Sequence, residues 1–580
     1  MKKTVLTLAV MALALLTLTG CNAKKERRYV TRTITNPVLA GFYPDPSVTR
    51  GADGYYMVNS TFGYFPGIPI FYSADLTGWE QIGHVLHRPE QVQFDKLRLS
   101  NQGTYAPAIE YHDGSYYVAC TEVVGRGNYI VKATHPAGPW SDPYLLPEVN
   151  GIDPSLFFDD DGKVYLVYNS DAPDNNPLWD GHCTIRMVEM DMKTMKVKSE
   201  PLILVNGGVD IDEQPVWIEG PHIYKVNDRY YLSAAEGGTE VNHSQVIFRS
   251  DAITGPYLPW EKNPILTQRH LDPERSNPIT STGHTDMIQD LEGNWWAFFL
   301  GCRPYDEDHF NTGRETFMAP VEWVDGWPVI NPGHEEIQYS YTFTAALPGE
   351  QETAPRQGNF VRHDAFDTPG LAHDWTGIRA GGGDWFSIDT TEKVLQLQLL
   401  PADAMREGVP SYLAQRQHHM TGYAATAVSF TPASDGEKAG IAVLQNEERF
   451  YYLCKGVEKG RAAVQLYRSG KEGDSYGMTL LASAPLTGEG DSPLRLQIVA
   501  DRTTYRFLYT VEEGDEWNEL GGAQDARYLS TASAGGFVGC TYGLWALTTG
   551  KEPSGNHARY HWYAYAGNDA VYSELTTPDR

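Results

Sequence analysis

Four polar residues recur in short, similar segments of this 580-residue chain: Asp45 in YPDPSV, Asp153 in IDPSLFF, Glu219 in IEGPHIYK and His284 in GHTDMIQ. Three of them are carboxylic acids. Gathered in one pocket, carboxyls in unequal surroundings divide acid and base work. Burial and a like-charged neighbour keep one protonated, while a better solvated or hydrogen-bonded one stays ionised. Such a set suits a reaction in which one group gives a proton to a leaving atom and another activates water. A single Asp at such a place reads as a strand-entry turn, which Asp favours in any case. Three acids at matching repeat positions are the stronger signal.

The elements that must bring these residues together are strands. Long amphipathic helical runs are hard to find, whereas short alternating or aromatic runs punctuated by Asp-Gly and Asn-Asp occur throughout. Five times a polar or aromatic leader is followed by a turn signal and an aromatic strand: YPDPSV with DGYYMVNS, YAPAIEY with DGSYYVAC, IDPSLFF with DGKVYLVY, IEGPHIYK with NDRYYLSA, and GHTDMIQ with EGNWWAFF. The turn signals fall near Asp53, Asp113, Asp161, Asp228 and Glu292. A repeated strand pair at this period marks a β-propeller, here of five blades, whose equivalent leaders surround one axis. The acid-rich FFDDDGKVYL reads as a hairpin turn, not a calcium loop, and Trp295-Trp296 as blade core. The propeller is expected over 22–346 and a Gly/Pro/Gln-rich linker over 347–358. Over 359–580 longer runs such as VLQLQLL, ATAVSF, GIAVLQN, RFYYLCKG, AAVQLYR, LRLQIVA, YRFLYTV and ARYHWYAYAG predict a β-sandwich of the concanavalin-like jelly-roll kind. The fold class is therefore all-β.

Composition narrows the function classes. A formal charge of −28 repels nucleic acid and anionic membranes and leaves no basic patch for phosphates. Aromatics make up 12% of the chain, including 35 Tyr and 14 Trp. They suit strands, and they suit sugars, because an aromatic face stacks on the apolar face of a sugar ring. Residues 1–21 read as a leader: Lys2 and Lys3, an apolar stretch too short to span comfortably, then Leu18-Thr19-Gly20-Cys21, which resembles a bacterial lipobox with Cys21 as the lipidated residue. NAKKERR, which follows, lacks the acidic run of a surface-export signal. The expected location is thus the cell envelope, periplasm-facing, with membrane contact only through the lipid. Five scattered cysteines remain and no CxxC pair exists, which leaves a zinc ribbon or redox dithiol unsupported. Cys120, in YYVACT, reads as a small buried apolar residue.

These segments, taken in order, resemble glycoside hydrolase family 43: NPVLAGFYPDPSV its opening motif, GIDPSLFFDDDGKVYL the segment of its auxiliary Asp, WIEGPHIYK that of its general acid, and GHTDMIQ and TGRETF those of its axial His and substrate-binding Arg. YLAQRQHH, AGIAVLQNE and GGFVG are similar to the sandwich that accompanies the family's xylosidases and arabinofuranosidases. The resemblance implies Asp45 as general base, Glu219 as general acid and Asp153 as the residue that tunes and orients the acid. It implies Phe62, Tyr105, Ala106, His284 and Arg314 as substrate-binding residues. Tyr105-Ala106-Pro107 stands where many members carry Trp-Ala-Pro. No cofactor is required by this chemistry, although some relatives carry calcium at the axis near His284. The implied reaction is inverting, with base and acid roughly 6.5–9.5 Å apart so that a water fits between base and sugar.

The resemblance points to oligosaccharide or polysaccharide substrates and to terminal α-L-arabinofuranosyl or β-D-xylosyl residues, with the weight on arabinofuranose. A pocket closed by loops or by the sandwich gives exo action. A retaining enzyme of the invertase and fructanase type would need Arg-Asp-Pro and Glu-Cys motifs, but Ile152 precedes Asp153 and Gly220 follows Glu219. A non-catalytic carbohydrate-binding lipoprotein does not explain why all three acids are retained, and nor does a structural envelope protein. For Arg314, the alternative to sugar binding is an ion pair with Glu315; for His284, a hydrogen bond between blades.

Overall fold

Successive residues of the middle strands face two different apolar cores. In the second blade Val118 and Cys120 pack toward the first blade, while Ala119 between them packs toward the third. Leu166 and Val167 divide likewise between the second and fourth blades, and Phe298 and Phe299 between the first and fourth. Because a strand alternates its side chains, a blade buried on both faces must be apolar at consecutive positions. That is why these runs are dense in aromatic and β-branched residues. Five inter-blade cores close the ring.

This computed structural model describes residues 28–94, 96–347, 357–380, 384–470, 477–486, 493–511 and 516–575. The leader with Cys21 and most of the 347–358 segment lie outside the described residues. The inner strands of the five blades are Ser47–Arg50, Gly103–His112, Ile152–Phe158, Glu219–Val226 and Thr280–Gln289, each opening its own antiparallel sheet. Asp53, Asp113, Asp161, Asp228 and Glu292 all sit in the hairpin between first and second strands, where the turn chemistry put them. The FFDDDGKVYL segment is such a hairpin, and Trp295 and Trp296 pack into blade cores. Arg28–Thr35 pairs along its length with Ser340–Leu347, clasping the two ends of the propeller. Cys120, Cys183, Cys302, Cys454 and Cys540 are unpaired thiols, and Cys120 is buried as expected.

The C-terminal part is a sandwich of two sheets, antiparallel but for the short Leu400–Pro401 pairing, around one large core, and all eight runs read as strands from sequence are strands. It is not a loose appendage. Tyr64–Phe65 of the propeller pairs with Thr376–Ile378 as an edge strand of one sandwich sheet. Phe42, Phe62, Tyr64 and Leu99 share a core cluster with Tyr412, Phe450, Tyr452 and Trp545. An interface of this apolar kind resists the relative motion that polar domain contacts permit.

Candidate active site

Four of the five inner strands carry a shift of register at the same place: Tyr105/Ala108, Ile152/Ser155, Glu219/His222 and Gly283/Asp286. A bulge adds a residue and re-aims the backbone. The residues so displaced toward the axis are Ala106, Asp153, Gly220 and His284, with Asp45 completing the ring just before the first inner strand; all five line the narrow axial space. Asp45, Asp153, Gly220 and His284 have φ of 54°, 55°, 57° and 52°. Such left-handed backbone is uncommon outside glycine and is held here by the surrounding sheets. The ring corrects the expectation that all three acids occupy matching repeat positions. Gly220, not Glu219, is the counterpart of Asp45 and Asp153. Glu219 stands one residue earlier, because a Cβ at position 220 would come within 2.8 Å of the His284 ring.

Asp45, Asp153, Glu219, His284, Arg314, Phe62, Tyr105 and Ala106 nevertheless line one cavity of about 250 Å³ at the axis. Every residue expected from sequence at the site thus lines the same cavity. Ser60 donates its hydroxyl to Asp45 Oδ2 at 2.6 Å. Asp45 Oδ1 lies 3.6 Å from His284 Nδ1 and 3.7 Å from Arg314 Nη1, and is buried without a hydrogen-bond donor. Arg314 Nε is likewise buried without an acceptor. Buried polar atoms of this kind are what a polar ligand satisfies. Arg314 does not pair with Glu315, which is taken by Arg303 instead.

The charges are unequal in the way acid–base work needs. Burial works to raise the Asp45 carboxyl, but the Arg314 guanidinium and the Ser60 hydroxyl help to reverse it and hold it below the ordinary Asp range. Asp153 and Glu219 go the other way. Burial first, and then the Glu219 and Asp45 charges, push Asp153 well up; burial and the Asp45 charge, against Arg314, push Glu219 up to about 7. The two form a coupled pair that retains a proton at neutral pH. Asp153 Oδ2 accepts the Gly220 amide at 3.1 Å, a bond that offsets only part of the rise. His284 is lowered to about 4 by burial and is neutral at pH 7.

Sequence reasoning missed the far wall. Phe537 of the sandwich reaches into the cavity, 5.8 Å from the Phe62 ring centre and 6.0 Å from that of Tyr105, and the Arg314 guanidinium lies over its ring at 4.9 Å. Phe537 sits in GGFVG, a segment whose own pattern says nothing about the propeller. Tyr105 Oη is tied back to the Asn101 carbonyl at 2.6 Å, so here the Tyr supplies an aromatic wall. Trp217, Thr239 and Cys183 also line the cavity unannounced. The sandwich further grips the chain leading to Asp45: Arg416 donates to the Phe42 carbonyl at 2.9 Å, and His418 Nδ1 lies 2.7 Å from that of Ala40. Among the described residues no group of three or more His, Cys, Asp or Glu converges as a cation would require.

Comparison with known proteins agrees in both halves. The family model described as "Glycosyl hydrolases family 43" matches residues 34–328, and that described as "Beta xylosidase C-terminal Concanavalin A-like domain" matches 363–566. A "Xylosidase/arabinosidase" of Butyrivibrio fibrisolvens is 36% identical over 91% of this chain and 98% of its own. A "Non-reducing end alpha-L-arabinofuranosidase" of Bacteroides ovatus is 34% identical over 92% and 95%. Among solved structures, a GH43_12 protein retrieved from capybara gut metagenome superposes with TM-score 0.81 at 38% identity, covering 90% of this chain and 96% of that one.

Proposed function

The chain belongs to glycosyl hydrolases family 43 and is a glycoside hydrolase of the xylosidase/arabinosidase kind, and from that premise we propose that it releases non-reducing-end α-L-arabinofuranosyl residues from hemicellulose-derived oligosaccharides with inversion. The observation that carries this reading is the convergence of Asp45, Asp153 and Glu219 on one cavity walled by Phe537. Glu219 gives its proton to the departing glycosidic oxygen as the bond to the anomeric carbon breaks. A water attacks that carbon from the opposite face and loses its proton to Asp45 Oδ1. Asp153, anchored on the Gly220 amide, keeps the acid protonated. Arg314 Nε and His284 engage sugar hydroxyls, and Phe62, Tyr105 and Ala106 shape the wall. A wall contributed by a second domain suits a terminal sugar better than a chain passing through.

Arabinofuranose is favoured because the relative at 36% identity is named a "Xylosidase/arabinosidase" and that at 34% an α-L-arabinofuranosidase, while those at 31% and 30% are named "Putative beta-xylosidase" and "Beta-xylosidase". The β-xylosidase description of the C-terminal match supports a second reading, β-D-xylosyl release or both activities. Release of 4-nitrophenol from the α-L-arabinofuranoside in preference to the β-D-xyloside is the expected result. NMR of the first-formed sugar should show the inverted anomer; a retained anomer contradicts the water mechanism. From Cys21 we also propose a lipid-anchored, periplasm-facing enzyme.

A pH profile follows from the two opposed carboxyls. Asp45 must be ionised, and its acidity lies below the ordinary Asp range, so the acid limb falls at low pH. The acid must be protonated, and Glu219 is held at about 7, so kcat/KM should decline as pH rises through that value. A profile still rising at pH 8 would contradict this division of labour.

A further inference from the structure

Three connections meet at the mouth of the cavity: 172–182 within the third blade, 207–218 between the third and fourth, and 237–243 within the fourth. They are fastened to one another. Trp179 Nε1 donates to the Pro215 carbonyl at 2.8 Å, the Trp217 amide to that of Gly181 at 2.9 Å, and the Gly237 and Gly238 amides to that of Val216 at 2.9 and 3.2 Å. Trp179 stacks on His182 with ring centres 4.1 Å apart. A Cβ on Gly181 would approach Val216 and Trp217 to 3.1 and 3.4 Å, so these segments lie in contact.

This fastened rim exposes apolar surface. Leu178, Ile211, Val216, Trp217 and Val241 are all among the exposed large hydrophobics, Leu178 at 67% and Trp217 at 41%. Trp217 also lines the catalytic cavity, and its backbone is left-handed, with φ 48°. Bulky residues rarely adopt that conformation, and strain of this sort is kept where the surroundings enforce it. Around these side chains stand the exposed Asp174, Asp180, Asp210, Asp212, Glu213 and Glu240, and the three segments contain no Lys or Arg. Cations stand beside them at two points: Arg269 donates to the Asn242 carbonyl at 3.1 Å, and Arg186 to the Asp171 carbonyl at 2.9 Å.

We propose that this rim is a shelf for the leaving side of the substrate, built for a neutral oligosaccharide of two or more sugar units whose first unit stacks on Trp217. The inference rests on the hydrolase reading and deepens it. Trp217 precedes the proposed proton donor by two residues and shares its cavity, so the sugar joined to the departing oxygen leaves past the indole. The shelf is continuous with the catalytic cavity, and its apolar faces match the apolar faces of sugar rings. Its carboxylates repel saccharides that carry uronic acids.

The test compares wild type, Trp217→Ala and Trp217→Phe. The substrates are a neutral tetrasaccharide ending in the sugar that wild type removes, the methyl glycoside of that sugar, and a uronate-bearing counterpart of the tetrasaccharide. Trp217→Ala should lose about 10-fold more kcat/KM on the tetrasaccharide than on the methyl glycoside, chiefly through KM, and Trp217→Phe should recover most of the difference. Wild type should disfavour the uronate substrate, and 1 M salt should narrow the gap. Equal losses on the tetrasaccharide and the methyl glycoside, or a Phe variant as poor as the Ala variant, overturn the shelf. Direct fluorescence titration with the neutral tetrasaccharide separates the two readings: binding lost in Trp217→Ala without cleavage by wild type sinks the hydrolase reading and keeps the shelf.

Discussion

Glu219→Gln is expected to lower kcat/KM by about 10²–10⁴-fold on substrates whose leaving group needs a proton, the range that a positioned general acid supplies. Gln keeps the size and the hydrogen-bonding reach of Glu, so the cavity and its walls stay as they are. What it removes is the exchangeable proton that burial and the Asp45 charge hold there up to about pH 7. Two further readouts tie the loss to chemistry and not to packing. A dinitrophenyl leaving group departs as a stable anion, so on that substrate the loss should be much smaller. The decline of activity around pH 7 should also disappear, because the titrating acid is gone. Unchanged activity on unactivated substrates would remove Glu219 from the reaction.

The second large effect is expected far from the sugar. Arg303 is completely buried, and its donors find Glu315 Oε2 and Oε1 at 2.6 and 2.9 Å, Asp569 Oδ2 at 3.0 Å, Tyr572 Oη at 2.9 Å and the His418 carbonyl at 3.0 Å. Two of these partners belong to the C-terminal segment and one to the sandwich, so the guanidinium bolts three parts together. Arg303→Met leaves two carboxylates buried without their counter-charge, which should cost about 3–5 kcal/mol in denaturant unfolding. Glu315 also accepts the Gly41 amide at 2.8 Å, on the stretch that leads to Asp45. Activity should therefore fall in the fraction of Arg303→Met that remains folded. A denaturation midpoint equal to wild type would mean that the cluster does not hold the halves together.

Local features were readable and displaced ones were not. The hairpin residues Asp53, Asp113, Asp161, Asp228 and Glu292 were legible because turn chemistry acts over a few residues. The sandwich strands were legible because period-two alternation is written directly in the side chains. The offset of Glu219 against Asp45 and Asp153 was hidden, since a bulge is a property of backbone pairing and leaves no composition behind. Phe537 was hidden for another reason. Its place opposite Phe62 depends on the docking of two domains, of which the Tyr64–Phe65 edge strand is one seam, and no spacing along the chain encodes that. Arg303 likewise looks like any surface arginine until its partners from distant segments are assembled around it.

The bulged ring has a consequence for how such a protein changes over time. Five seats face the axis, occupied by Asp45, Ala106, Asp153, Gly220 and His284. Each is framed by its own sheet, so an occupant can be exchanged while the frame persists. The exception is the glycine's seat, kept bare so that the neighbouring imidazole has room. At that seat any newcomer with a side chain meets a steric veto from the His284 ring.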